Sequence, residues 1–368
     1  MSQQTGNLFL QSALTVDSEV MPLRRFDDWF ESRRQAHHFR LERIPFSRMV
    51  KWGFEPGTGN LRHETGRFFS IEGLPVRTNW GRIPEWEQPI IVQPEIGLLG
   101  FVTRRFGGIL HFLVQAKMEP GNLHMIQLAP TLQATRSNFT RVHQGHSPPY
   151  LDLFLQRGES HVLEDILQSE QGARFLRKRN RNIIIETGRE IAVGEDYCWL
   201  TLGQMLRLMR RDNLVNMDAR TVMACISYAM ETPAAPPAVS GRFGQALWRS
   251  FQALEEGLHT NEEIISWFTE QKFSFDLDVE RIPLAKVREW VRTGDEIRHA
   301  NGCYFSVIAC QVEADNREVP AWTQPMVQAH QQGLIAFLVK EFDGVLHFLV
   351  QAKVEPGNFD VVEMAPTV

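Results

Sequence analysis

The chain has 368 residues, 43% of them hydrophobic and 23% charged, which is the composition of a globular protein and excludes extensive disorder. Its 44 acidic and 39 basic residues give a net charge of −5, which excludes binding that depends on coating nucleic acid or an anionic membrane. The four cysteines lack metal-finger or redox spacing, and no stretch is long and apolar enough to span a bilayer, so we expect a cytoplasmic protein.

In chain order, residues 1–22 are predicted to form an N-terminal tail, and a helix is predicted around the Trp29-Phe30 pair. Strands follow, first RFFSIEGLPV and then a meander of GLLGFVTRRF, ILHFLVQAKM and LHMIQLA. Gly107-Gly108 and Pro120-Gly121-Asn122 supply the two turns of this meander.

Residues 132–156 are predicted to form a long polar loop, because hydrogen-bonding side chains dominate them. A helix is then predicted at LEDILQSEQGARFLRKRNR, followed by a strand at NIIIE and by two helices at WLTLGQMLRLMRRDN and VNMDARTVMACISYAM. We expect Asn216 and Asp218 in the last of these to cap the helix. The proline-rich ETPAAPPAVSG indicates a linker, and RFGQALWRSFQALEEGL after it indicates an amphipathic helix.

The chain contains an internal repeat, most visible where LHFLVQAK occurs at residues 110–117 and again at 346–353. A shift of 236 positions aligns residues 61–131 with 297–367, with about 30 identities in the 71 pairs. Upstream, a shift of 238 pairs Trp29 with Trp267. We therefore predict two modules from a duplication, at 23–231 and 246–368, joined by a linker at 232–245. The chain stops after APTV, so the second module is expected to be truncated, without its loop and helices.

One face of the repeated strand is polar, because residues two apart on a strand share a face. In the first copy this face carries His111, Gln115 and Lys117, with Glu119 beyond, and the second copy reproduces these as the set His347, Gln351, Lys353 and Glu355. One interpretation is the wall of a binding pocket. The other is a buried hydrogen-bond network beside a solvated lysine.

Two further groups of residues are suited to an anionic ligand. The polar loop contributes Arg136, Asn138 and Arg141, and the KRNRN run contributes Lys178, Arg179 and Arg181. Guanidinium groups match phosphate oxygens in pairs, so a diphosphate clamp is one interpretation and a solvated basic turn is the other. The sequence has no Walker or dinucleotide loop, no GxSxG or HExxH motif and no metal-ligand spacing, so neither a cofactor nor a metal is expected.

Several motifs carry a resemblance to a known family, namely LHFLVQAKMEPGN, EQGARFLRKRNRN, LTLGQ and LVNMDAR. With them the chain resembles the NDP-hexose 2,3-dehydratases of deoxysugar biosynthesis, from about residue 25 to its end. The resemblance implies an α+β fold of two tandem Nudix-like modules, with mixed and antiparallel sheets flanked by helices. The hydrolytic Nudix box itself is absent from the sequence.

The resemblance also implies a function. It implies a homodimeric hydro-lyase that takes a dTDP-linked 4-keto-6-deoxyhexose, uses no cofactor and passes its product to a separate NAD(P)H-dependent 3-ketoreductase. On this reading His111, Glu119 and Lys117 are catalytic. The substrate is bound by Gln115, Arg136, Asn138, Arg141, Lys178, Arg179 and Arg181. The alternative is a non-catalytic nucleotide-sugar binding protein.

Overall fold

The helices and sheets are those of a computed structural model that describes residues 3–135, 147–155, 160–228, 241–252, 257–317 and 319–368. Among these residues, no helix is long and apolar enough to cross a membrane. The described helices are α1 (Gln3–Leu14), α2 (Leu23–Ala36), α3 (Leu151–Leu155), α4 (Leu202–Leu208), α5 (Met217–Ala224), α6 (Arg242–Gln252) and α7 (Asn261–Ser274).

The strands form one seven-stranded sheet, two five-stranded sheets and two hairpin-sized sheets. The first five-stranded sheet holds β1 (Phe39–Ile44), β14 (Trp290–Arg292), β15 (Glu296–His299), β16 (Phe305–Ala314) and β17 (Ala321–Ala329). The second holds β2 (Trp52–Phe54), β3 (Leu61–His63), β4 (Ser70–Thr78), β5 (Glu85–Val92) and β13 (Leu277–Val279).

The seven-stranded sheet holds β6 (Gly97–Phe106), β7 (Ile109–Met118), β8 (Ile126–Ala129), β9 (Leu132–Ala134), β10 (Ser160–Ser169), β11 (Arg179–Thr187) and β12 (Tyr197–Thr201). The small sheets pair β18 (Leu338–Phe342) with β19 (Val345–Leu349) and β20 (Gln351–Lys353) with β21 (Glu363–Ala365). Only β11 and β6 pair in parallel among these strands, and the rest pair in antiparallel. The prediction of an α+β fold with mixed sheets and helices is confirmed.

The two copies of the repeat exchange a strand. From the first copy, β1 leaves its own sheet and pairs with β16 of the second copy, with Phe39 opposite Ala314. From the second copy, β13 pairs with β4 of the first, with Leu277 opposite Thr78. The repeat makes these two pairings equivalent. Phe39 corresponds to Leu277 at the shift of 238, and Thr78 corresponds to Ala314 at the shift of 236. The exchange is therefore reciprocal.

One hydrophobic core joins the exchanged strands. It contains buried residues from both copies, among them Ile44 and Leu61 from the first and Leu284 and Val307 from the second. Ion pairs also cross between the copies, as where the Arg288 guanidinium contacts carboxylates of the first copy. Neither five-stranded sheet is complete without a strand from the other copy.

The β7 strand lies inside the seven-stranded sheet, paired with β6, β8 and β12. One of its faces, predicted to be apolar, is buried in the largest core, where Leu110, Phe112, Val114 and Ala116 pack with residues of α1, α4 and α5. The meander is confirmed residue for residue in β6 and β7, and both turn glycines have positive φ, at 56° and 84°.

Several parts of the predicted secondary structure differ from the structure. The predicted polar loop contains β9 and α3 at its ends, and the helix predicted from Trp199 begins only at Leu202, after β12. The helix predicted over residues 163–181 is wrong, because this segment forms β10, a turn and the start of β11. Its leucine and acidic spacing suits a helix, but antiparallel pairing of β10 along β11 at the edge of the sheet overrides that preference. Residues 3–14, assigned to a tail, form α1, whose Phe9 is fully buried.

The second copy exposes an apolar surface whose equivalent in the first copy is buried. Leu99 in β6 is 4% exposed, whereas its counterpart Ile335 is 82% exposed. In the first copy, β11 and α5 lie against β6. Among the described residues that follow Ile335, only the strands β18 to β21 occur. The two copies of the repeat are thus unequal in packing.

The shared core predicts that both copies unfold together. Ile44 in β1 is 1% exposed. Its replacement by alanine is expected to lower the free energy of unfolding by about 2–5 kcal/mol. The matched control is Leu41→Ala on the solvent face of β1, where the side chain is 43% exposed and the expected change is within about 0.5 kcal/mol. Urea unfolding followed by tryptophan fluorescence and by circular dichroism tests this. Two separate transitions in the Ile44→Ala protein would contradict a shared core.

Candidate active site

The site lies at the carboxyl end of β7, where this strand and β6 separate. The two strands pair only from Thr103 opposite Phe112 to Phe106 opposite Ile109. Beyond that point β6 pairs with β9, while β7 pairs with β8 and places Lys117 opposite Gln127. The end of β7 therefore faces β9 and the start of α5 rather than a continuous ladder with β6.

Lys117 and Glu119 form the centre of a buried polar cluster, as the alternation of the repeated strand predicts for these two residues. Lys117 Nζ lies 3.5 Å from Glu119 Oε1, and their side chains are 7% and 19% exposed. Gln133 in β9 donates from Nε2 to the same Oε1 at 2.9 Å. The Nδ2 of Asn216 lies 3.5 Å from Glu119 Oε2. These contacts fix the carboxylate in one orientation.

The charge of Glu119 is stabilised by its neighbours. Burial alone would raise the pKa of this carboxyl. The charges of Lys117 and Arg317, together with the hydrogen bonds from Gln133 and Arg317, outweigh the burial and hold the pKa of Glu119 below its usual value. Glu119 is thus an ionised carboxylate at neutral pH.

Asp218 in the first turn of α5 has the opposite character. Burial raises its pKa, the charges of Glu119 and Glu170 raise it further, and Lys117 and Lys178 only partly oppose this, so that the pKa is about 7. A carboxyl group that titrates near neutral pH is suited to donating a proton. The sequence predicts that Asp218, like Asn216, caps this helix. In the structure Asn216 is the N-cap, accepting from the Ala219 amide at 2.8 Å.

Lys178 completes the polar cluster from the other side. It is 5% exposed, and its Nζ donates to the carbonyl oxygens of Glu95 and Arg179. Burial lowers the pKa of Lys178, and the carboxylates of Glu170, Glu95 and Asp218 partly offset that effect. Asn180, on the same face of β11, donates to Glu170 Oε2 at 2.8 Å. Two lysines therefore lie among four carboxyl groups, those of Glu95, Glu119, Glu170 and Asp218.

His111 lies elsewhere on β7. Six residues separate it from Lys117, which is roughly 20 Å at about 3.3 Å per residue. Its side chain is buried, and its Nδ1 lies 2.9 Å from the Ile109 carbonyl oxygen, which can only accept. The Nε2 therefore accepts from Ser18 Oγ at 2.7 Å, and burial lowers the pKa of the ring. His111 is a neutral, hydrogen-bonded core residue, remote from Glu119.

The structure does not bring the KRNRN run together as one clamp. These residues lie in and beside β11, so neighbouring side chains point to opposite faces of the sheet. Lys178 joins the polar cluster, whereas Arg181 pairs with Asp165 at the exposed edge and Arg179 lies over the Phe359 ring at 4.0 Å. The interpretation of this run as a solvated basic turn is therefore wrong, because most of it lies in β11.

The remaining predicted residues fall into three groups. Gln115 is half-buried on β7 opposite Tyr197. Arg136, Asn138 and Arg141 lie outside the described residues. The second-copy set is more open: His347 Nδ1 lies 3.0 Å from the Val345 carbonyl oxygen, Gln351 donates to the Pro366 carbonyl oxygen, and Lys353 lies 3.0 Å from a Glu355 oxygen.

Two surface cavities lie away from the polar cluster. One of about 310 Å³ is lined by residues of α2, by His124 and by the turn at 211–214, and another of about 610 Å³ lies at the β2–β3 hairpin around Trp52. Neither cavity is lined by Lys117, Glu119 or Asp218. The polar cluster is therefore defined by its buried charges rather than by cavity volume.

The described chain is a mixed α+β protein with a buried cluster of lysine and carboxyl side chains. Residues 23–226 and 261–368 match the NDP-hexose 2,3-dehydratase family. The chain belongs to this family, whose named members are hydro-lyases.

Three relatives carry the name dTDP-4-dehydro-6-deoxy-alpha-D-glucopyranose 2,3-dehydratase. The one from Saccharopolyspora spinosa is 50% identical over 98% of this chain and 74% of its own length. The relative from Amycolatopsis orientalis is 44% identical over 97% of this chain and 72% of its own length. The relative from Streptomyces violaceoruber is 46% identical over 93% of this chain and 75% of its own length.

The raised pKa of Asp218 predicts how stability depends on pH. Folding raises this pKa from about 4 to about 7, so ionisation of Asp218 increasingly opposes folding as the pH rises through that interval. The Asp218→Asn protein should therefore gain stability relative to the wild type between about pH 4 and about pH 7, and the difference should be constant above pH 7. Urea unfolding across this range measures it.

The control for this measurement is Asp212→Asn, since Asp212 is exposed in the turn before α5. A difference for Asp218→Asn that depends on pH no more than the difference for Asp212→Asn would contradict the burial and charge environment described for Asp218.

Proposed function

We propose that this chain is a dTDP-4-keto-6-deoxy-D-glucose 2,3-dehydratase. It removes the C3 proton and the C2 hydroxyl to give a 3,4-diketo-2,6-dideoxy nucleotide sugar. The substrate assignment rests on relatives of that name at 44–50% identity. The single structural observation that supports the chemistry is that an ionised Glu119 lies near Lys117 and near Asp218, whose pKa is about 7.

The elimination can be written with its atoms balanced. The C4 ketone acidifies the proton on C3, so a base removes that proton and leaves an enediolate across C3 and C4. The enediolate expels the C2 hydroxyl, which takes up a proton and leaves as water. The resulting enol gains a proton at C2, loses the proton of its C3 hydroxyl and becomes the 3,4-diketone. The net change is the loss of water.

The two carboxyl groups have environments that separate their proton affinities, which is how enzymes assign acid and base roles. We assign Glu119 as the base, because it is ionised at neutral pH and can therefore take up a proton. We assign Asp218 as the acid that protonates the leaving hydroxyl, because it holds a proton up to about pH 7. Lys117 stabilises the negative charge on the C4 oxygen. His111 is given no step.

We also propose which residues bind the nucleotide sugar. Lys178 is inside the polar cluster and is our candidate for a phosphate oxygen, together with Arg136, Asn138 and Arg141 from the polar loop. Gln115 is proposed to contact the sugar. Arg179 and Arg181 are weaker candidates, since Phe359 and Asp165 already engage them.

We also propose the enzyme that uses the product, the oligomeric state and the origin of the repeat. A 3,4-diketo product needs reduction at C3, so we propose that a separate NAD(P)H-dependent 3-ketoreductase consumes it in deoxysugar and antibiotic biosynthesis. We further propose that the chain acts as a cytoplasmic homodimer and that its repeat units are duplicated Nudix-like modules, divided near residues 232–245. The internal sequence repeat and the reciprocal strand exchange support the duplication.

The assay that tests the function uses the dTDP-4-keto sugar in deuterated buffer. We expect a product that has lost water and carries deuterium at C2. Ligand-dependent thermal protection with intact substrate would support the alternative of a non-catalytic nucleotide-sugar binding protein. Free sugar phosphate would instead indicate diphosphate hydrolysis.

The internal repeat offers a matched pair of variants for the same assay. Lys117→Met should lower kcat by roughly 10²–10³-fold, because the enediolate loses its cation. Lys353→Met changes the equivalent residue of the second copy, which is 39% exposed beside Glu355, and kcat should stay within a few-fold of the wild type. The reverse result would place the working site in the second copy.

A further inference from the structure

Arg317 reaches from the second copy into the site of the first. It lies in the turn between β16 and β17. Its Nη1 donates to the carbonyl oxygen of Met118, the last residue of β7, at 3.2 Å. The same nitrogen lies 3.4 Å from Glu119 Oε1. The Arg317 side chain is only 19% exposed, so this contact is enclosed rather than a surface ion pair.

The contact is not reproduced in the other direction. The repeat places Gly81, in the turn between β4 and β5, at the position equivalent to Arg317, and a glycine has no side chain to offer. That turn does contact the end of the equivalent strand, through Trp80 Nε1, which donates to the Ala352 carbonyl oxygen at 3.2 Å. Both turns therefore dock on the other copy, but the turn of the first copy has no arginine equivalent to Arg317, and the cation near Glu355 from the first copy is Arg174 of another segment.

The contacts of Glu119 are unequal at its two oxygens. Lys117, Gln133 and Arg317 all approach Oε1, at 3.5, 2.9 and 3.4 Å. Asn216 Nδ2 lies 3.5 Å from Oε2. Oε1 therefore faces β7, β9 and the second copy, and Oε2 faces the start of α5, where Asp218 lies.

We propose that Arg317 is a positioning residue for the dehydration, which fixes and keeps ionised the Glu119 carboxylate, so that the site of the first copy is assembled only when the second copy is docked. This proposal rests on the proposed function for the role of Glu119. The charge balance supports it, because Lys117 alone would have to stabilise both Glu119 and the charge that develops on substrate.

The groups that face the Glu119 carboxylate come from every element packed against it. These are Lys117 of β7, Gln133 of β9, Asn216 and Asp218 at the start of α5, and Arg317 of the second copy. Removing Arg317 takes away a cation and a hydrogen bond from the ionised form. The proton affinity of Glu119 must then increase, and the acidic limb of the kcat profile must move to higher pH.

The test compares Arg317→Met, Arg317→Lys and Arg288→Met. Arg288→Met is the matched control, because Arg288 also makes an ion pair from the second copy to the first, with Glu87 at 2.6 Å, away from Glu119. We expect Arg317→Met to lower kcat by roughly ten- to a hundredfold with a smaller change in KM, and to move the acidic limb upward. Arg317→Lys should restore part of kcat, and Arg288→Met should match the wild type in both.

A second measurement separates this proposal from the proposed function. The carboxyl carbon of Glu119 is titrated by NMR in protein labelled at glutamate, with Glu119→Gln used for assignment. A higher pKa in Arg317→Met than in Arg288→Met supports the positioning role even if the wild type shows no turnover, which would defeat only the proposed function. Unchanged Glu119 titration in a folded Arg317→Met or Arg317→Gln protein would overturn the proposal.

Discussion

The reciprocal exchange of β1 and β13 is the constraint on which the rest of the structure depends. Each copy of the repeat supplies a strand that completes the sheet of the other, and the core around Ile44 and Val307 belongs to both. Exposed backbone at either sheet edge would be unpaired without this exchange. The exchange also brings the turns of each copy to the strand ends of the other, which is how Arg317 comes to lie beside Glu119.

Burying charges is costly unless each has a partner, and the polar cluster satisfies this condition with residues distant in sequence. Lys117 comes from a strand, Lys178 from the residue before β11, Glu119 from a strand end, Asp218 from a helix and Arg317 from the other copy. Because Asp218 is buried, and because Lys117 and Lys178 only partly oppose the charges of Glu119 and Glu170, its pKa is about 7. A buried network in which one carboxyl group has a pKa of about 7 is suited to proton transfer rather than to stability alone.

Local sequence patterns predicted what depends on local chemistry. The meander followed from turn glycines and apolar runs, and Lys117 with Glu119 followed from strand alternation. The helix predicted over 163–181 failed because pairing along β11 decided that segment. Asp218 carried no local signal, since an acidic residue in a first helical turn is common. The strand exchange and the role of Arg317 depend on contacts between residues about 200 apart, which no local pattern encodes.

Cleavage between the copies tests the central claim most directly. A protease site placed within residues 232–240 allows the purified protein to be cut, and the two fragments are then followed by gel filtration without denaturant. Exchanged strands and a shared core predict that the fragments stay together and that turnover of the dTDP-4-keto sugar persists. Separation of the fragments, or full turnover by residues 1–231 alone, would contradict interlocked copies and a site completed by Arg317.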